Sequence, residues 1–121
     1  MLFNIAVKHG GPWLLVVGSG PAEFCDLAAL VDVAARLANA KSYRCVLADL
    51  LAVDPQLTQD EFARIGRYVA TALDGLDRVA AVVARDRSTT ESAANQAGFR
   101  LRMFSDLHTA EAWLASEAHA A

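Results

Sequence analysis

The chain reads as an α/β protein with a five-stranded mixed sheet and four helices. Three observations carry this expectation. Short apolar runs alternate with stretches of helical periodicity along the whole chain. A Gly-Gly step separates the first two apolar runs, a hairpin signal that makes those strands antiparallel. The central run, Arg44-Cys45-Val46-Leu47-Ala48-Asp49-Leu50-Leu51, is apolar without alternation, as a strand buried on both faces should be.

Taken in order, Leu2 to Val7 alternates loosely and forms the first strand, which Lys8-His9-Gly10-Gly11-Pro12 interrupts. Trp13-Leu14-Leu15-Val16-Val17 is the second strand, ended by Gly18-Ser19-Gly20-Pro21, where tight turning is the reading that needs those glycines. A helix follows from Ala22 or Phe24 to Ala40. Its inward face is Leu27, Leu30, Val31, Ala34, Leu37 and Ala38. After the central third strand, Thr58-Gln59-Asp60-Glu61 is a capping box. Phe62, Ile65, Val69 and Leu73 mark the face of the helix it opens, and Gly75 is its expected stop. Arg78 to Ala84 is the fourth strand. Ser88-Thr89-Thr90-Glu91 reads as a second capping box for a helix ending near Ala97, with Gly98 just beyond. Leu101-Arg102-Met103-Phe104 has period two, and its exposed Arg102 side marks an edge strand. Ser105 or Asp106 caps a last helix whose inner face is Leu107, Ala110, Trp113 and Leu114. Strands two to five are each joined through a helix, so they should run parallel with right-handed crossovers.

Length and charge narrow the function classes. At 121 residues the chain holds one core, so residues 1–121 are read as a single domain. Hydrophobic residues reach 55%, much of it alanine, yet no apolar run approaches the ~20 residues of a membrane span. Met1-Leu2-Phe3-Asn4-Ile5 has no basic lead before an apolar core, so it does not read as a signal sequence and a cytoplasmic setting is expected. The net charge is −3 and the basic residues are scattered, which argues against nucleic acid. Cys25 and Cys45 read as buried, reduced thiols. With His9, His108 and His119 in unrelated segments, no metal-ligand spacing and no cofactor motif emerges.

The element order resembles the STAS superfamily, the fold of bacterial anti-sigma-factor antagonists. So do the central strand closing on Asp49, the Arg78-Val79-Ala80-Ala81-Val82-Val83 run, and Met103-Phe104-Ser105-Asp106 followed by Glu111-Ala112-Trp113-Leu114. The likeness is to the small stand-alone bacterial branch related to the CRAL-TRIO lipid-binding fold. It implies a STAS-like βα superhelix and a regulatory, non-enzymatic role. In that family an Asp-Ser-Ser/Thr-Gly run follows the third strand and a partner kinase phosphorylates its serine. Here the run is Asp49-Leu50-Leu51-Ala52, so Leu50 takes the phospho-acceptor position without a nucleophilic oxygen. The lipid-binding cousins imply a second possibility, a small apolar or anionic ligand.

In a parallel sheet, ligands and partners meet the loops beyond the carboxyl ends of the strands. Three loops are expected there: Gly18 to Pro21 with Ser19, Leu50 to Gln56, and Arg85 to Thr90. Arg85, Arg87 and Ser88 precede or open a helix, where amides and guanidinium groups favour an anion. The simpler reading is that Ser88 is a cap, Arg85 and Arg87 are solvated, and Asp86 pairs with one of them. Asp49 either accepts loop amides or pairs with Arg85 or Arg87, since a bare buried carboxylate is costly. Asp54 before Pro55 reads as a turn former. Phe24 and Phe62, near helix starts, would line an apolar pocket at the loop edge if the helices splay. No serine, cysteine or histidine has a base partner, so no catalytic set is assigned. The expected partners are a second copy of the chain and either a protein or a small apolar or anionic ligand.

Overall fold

The computed structural model describes residues 2–9, 11–84, 88–97 and 101–118. Its elements follow the order β1 (Asn4–Lys8), β2 (Leu14–Ala22), α1 (Phe24–Lys41), β3 (Cys45–Pro55), α2 (Gln59–Ala72), β4 (Arg78–Val82), α3 (Ser88–Gln96), β5 (Leu101–Phe104) and α4 (Leu107–Ala118). The five strands lie side by side in sequence order. β1 and β2 are antiparallel, and every later neighbour is parallel, as the Gly-Gly hairpin and the helical crossovers require.

Because the parallel strands advance in one direction, right-handed crossovers place α1, α2 and α3 on the same face of the sheet. There they bury Leu14, Val16, Val46, Ala48, Val79, Ala81 and Leu101. α4, which follows the edge strand β5, returns across the opposite face. It covers Leu47, Ala80 and Val82 with Ala110 and Leu114. The unbroken apolar run of β3 is thus explained residue by residue. Val46 and Ala48 face the three helices, and Leu47 faces α4.

Several expected boundaries are corrected. Gly18 to Pro21 is not a turn, and Ala52 to Pro55 is not a loop. Both belong to strands, paired Ser19 to Ala52, Gly20 to Val53, Pro21 to Asp54 and Ala22 to Pro55. Asp54 therefore lies in a strand rather than a turn. Between Val17–Asp49 and Ser19–Ala52 the ladder advances two residues on β2 and three on β3, which is a β-bulge at Leu50 and Leu51. The glycines serve this geometry. A Cβ on Gly18 would sit 2.9 Å from the Leu30 Cδ1, and Gly20 has φ +99° with the Leu2 carbonyl oxygen 2.7 Å from where its Cβ would be. Gly75 does not stop α2, which ends at a cap residue, Leu73, with φ −105°. Gly98 lies outside the described residues.

Local caps hold the helices. The Glu61 amide donates to the Thr58 hydroxyl at 3.2 Å, and the Thr58 amide donates to the Glu61 carboxylate at 3.0 Å, the reciprocal box expected there. Asp106 caps α4, its Oδ1 accepting the Thr109 amide at 2.8 Å. The Glu91 carboxylate reaches across to the edge strand: Oε2 accepts the Met103 amide of β5 at 2.6 Å. Cys25 is exposed rather than buried, because it falls off the Leu27–Leu30–Val31–Ala34 face of α1. Cys45 is half-buried.

Candidate functional site

Two features meet at the carboxyl end of the sheet: the bulge on β3 and a cavity beneath α1 and α2. The cavity has a volume of about 350 Å³. Protein interiors rarely leave room of this size. Its cause is legible in its lining, where small side chains, Ala34, Ala48 and Ala81, stand where larger ones would close the gap. At its inner end Ala34, Val46 and Val79 are 4% exposed or less, so that end is shut. Of the half-buried lining residues, Leu50 and Val53 lie on the later half of β3, Val83 just past β4 and Phe62 in the first turn of α2, so the mouth faces the rim.

Helices α2 and α3 are closely joined over this space. Gly66 brings them so near that a Cβ there would stand 2.2 Å from the Thr90 carbonyl oxygen. The buried Thr90 hydroxyl donates to the Phe62 carbonyl at 2.7 Å. Helices α1 and α2 are linked by two surface clasps. The Arg64 guanidinium lies 4.4 Å from the centre of the Phe24 ring. The Tyr68 hydroxyl donates to Asp32 at 2.5 Å, a bond that raises the pKa of the phenol.

The expected site residues divide into two groups. Leu50 and Phe62 line the cavity. Phe24 does not. It packs at the start of α1 in a small cluster with Ala22, Leu27 and Ile65, beneath Arg64. Asp49 lies within β3 rather than at its end, half-buried between Val17 and Val82. Its Oδ1 accepts the Leu51 amide at 3.2 Å. A bulge leaves one N–H without a ladder partner, and Asp49 supplies the acceptor within its own strand. Ser19, half-buried on β2, stands between Asn4 and Ala52. Arg85 and Arg87 lie outside the described residues. Ser88 is the first residue of α3, and its side chain also lies outside them.

Sequence reasoning missed Gly66, Thr90 and Leu51. A glycine four residues after Phe62, on an otherwise apolar helical face, was the available signal for a close helix approach. Leu51 is 43% exposed, because strand alternation puts it with Leu47 and Asp49, away from the three-helix side. Glu23, Cys25 and Asp26 have potential ligand atoms within 4.8 Å of one another. However, Asp26 already accepts the Glu23 amide at 2.8 Å, and this surface group at a helix start is not assigned a metal. No helix among the described residues is long and apolar enough to cross a membrane.

No family model matches the chain, and no curated protein matches it. Solved structures do. An anti-sigma factor antagonist from Mycobacterium paratuberculosis aligns with a TM-score of 0.60 at 19% identity, over 92% of this chain and 92% of its own. An uncharacterised protein of the DUF3478 family with a SpoIIAA-like fold, from Shewanella loihica, aligns with a TM-score of 0.57 at 17% identity, over 93% of each chain. The fold is therefore SpoIIAA-like along nearly its whole length.

Proposed function

We propose that this STAS-type chain is a non-enzymatic regulatory domain of the cytoplasm, a single domain that acts by binding another protein at its strand-end rim. The observation that carries the reading is its whole-length likeness to an anti-sigma factor antagonist. The rim differs from the family pattern where it matters for control. Leu50 occupies the phospho-acceptor position and faces the cavity, so partner choice here is not switched by phosphorylation at that residue. Leu51, Asp49 and Ser19 are the contact residues nearest to it, with Arg85, Arg87 and Ser88 on the following loop. A tagged chain should capture a protein from its source cells, and Leu51→Asp should abolish that capture while leaving the circular dichroism spectrum unchanged. Capture of no protein, or capture indifferent to Leu51, would remove the proposal.

The chain also self-associates in this reading. Exposed sheet edges have to be covered or paired. At the β5 edge, α3 side chains take the outward groups: Glu91 accepts the Met103 amide, and the Asn95 amide donates to the Leu101 carbonyl at 3.0 Å. The β1 edge is the one left for a second copy. Light scattering should give the mass of a dimer, and a monomer at every workable concentration would refute it.

A second reading is favoured by the cavity. A space of about 350 Å³ lies within the size range of small-molecule sites, and its lining is almost wholly apolar. On this reading the chain holds a small ligand of the apolar or anionic kind, and Leu50 and Phe62 touch it.

A further inference from the structure

We infer that the cavity selects an uncharged apolar molecule and rejects charged amphiphiles of the same length. This rests on the ligand-binding reading above and narrows it. The volume is more than twice the ~150 Å³ of a dry apolar cavity that holds benzene. That admits a single medium-length chain or a pair of small rings.

The lining decides the charge. Among the described lining residues, only Asp54 and Thr90 carry polar side chains. The Thr90 hydroxyl spends its proton on the Phe62 carbonyl at 2.7 Å, so it offers no donor to a ligand. Asp54 is a carboxylate at the exposed end of β3, where it accepts the Gln56 side-chain amide at 2.9 Å. A carboxylate or phosphate placed at the mouth would meet a like charge. Drawn further in, it would meet Ala34, Ala48 and Ala81 and lose its hydration without a partner, which costs several kcal/mol or more. An ammonium fares better beside Asp54. That carboxylate is exposed, however, and an exposed ion pair contributes little. A hydrocarbon end has neither penalty, and a hydroxyl left at the mouth carries no charge and keeps its hydration.

Calorimetric titration of the full chain at neutral pH with 1-decanol, decanoate and decylammonium tests this. Decanol should bind at least tenfold more tightly than either ion, with a negative heat-capacity change from apolar burial. Ala34→Leu and Ala48→Leu, which fill the cavity from opposite walls, should each weaken decanol at least tenfold in whichever variant keeps the native circular dichroism spectrum. Asp54→Asn, at the mouth, should bring decanoate closer to decanol. Tighter binding of decanoate or decylammonium would overturn the selectivity while leaving a ligand site in place. Binding of none of the three would overturn both. Decanol binding that survives a folded cavity-filling variant, or decanoate binding that Asp54→Asn leaves no closer to that of decanol, would also overturn the inference.

Discussion

Gly66 shows how one missing side chain can decide the packing of two helices. In an isolated helix, replacing glycine by alanine gains about 1 kcal/mol. Here the new Cβ would stand 2.2 Å from a backbone oxygen of α3, and 3.0 Å from the Ala93 Cβ. Backbone cannot swing aside as a flexible side chain can, so overpacking outweighs propensity. Gly66→Ala should lower stability by about 1–3 kcal/mol. The urea midpoint should fall with little change in slope. An unchanged midpoint would mean that α3 moves off α2 at no cost. At this scale the sequence was legible where a side chain acts on its own neighbours. Thr58 and Glu61 form the box their spacing announces, and Asp49 accepts a nearby amide. It was not legible where partners are distant in sequence. Nothing near Glu91 reveals that its carboxylate meets Met103, twelve residues on.

At the scale of elements, every strand and helix was announced by an apolar run, a periodic face or a capping pattern, but two strands run further than expected. The β2–β3 ladder continues past Gly18 and Asp49 to Ala22 and Pro55. Glycine, serine and proline in β2 look like punctuation, and only a partner strand with an extra residue makes them extended. A bulge has no one-strand signature. Leu50 and Leu51 continue an apolar run whether or not an insertion falls between them. The end of α1 is a second case. Its cap is Ser42 in the left-handed region, φ 60° and ψ 33°, with its amide bonded to the helix end. The sequence offered only a polar connection there, because the usual glycine is absent. A side chain in that conformation costs about 1–2 kcal/mol, and glycine removes the cost while giving back about 0.5–1 kcal/mol in unfolded-chain entropy. Ser42→Gly should therefore stabilise the protein by about 0.5 kcal/mol. Thermal and urea melts check it, and a loss of stability would show that the serine makes a compensating contact.

For the whole molecule, the sheet is covered by three helices on one face and one on the other, and its exposed charges set how stability varies with pH. Asp77 is held below the ordinary carboxylate value by hydrogen bonds from Arg44 at 2.7 and 2.8 Å. Asp106 is held below it by the Thr109 amide and hydroxyl. A carboxyl with a depressed folded pKa adds stability above its unfolded value, near 3.8, and loses it as pH falls through the lower folded value. The acid limb should therefore steepen below about pH 4. Both groups are at the surface, so salt should flatten it. The alkaline limb has the opposite sign. Burial raises the Cys45 thiol above its ordinary 9.0, and the bond to Asp32 raises the Tyr68 hydroxyl above 10.0. The folded state keeps these protons longer than the unfolded chain does, so stability falls as pH rises through 9.0 and beyond. Urea titrations from pH 3 to pH 10 should give a dome, flat across the neutral range. Asp106→Asn should remove part of the acid slope only, and Cys45→Ala part of the alkaline slope only. If either variant changed the other limb, the two sets of groups would not titrate independently, and this assignment of the limbs would fail.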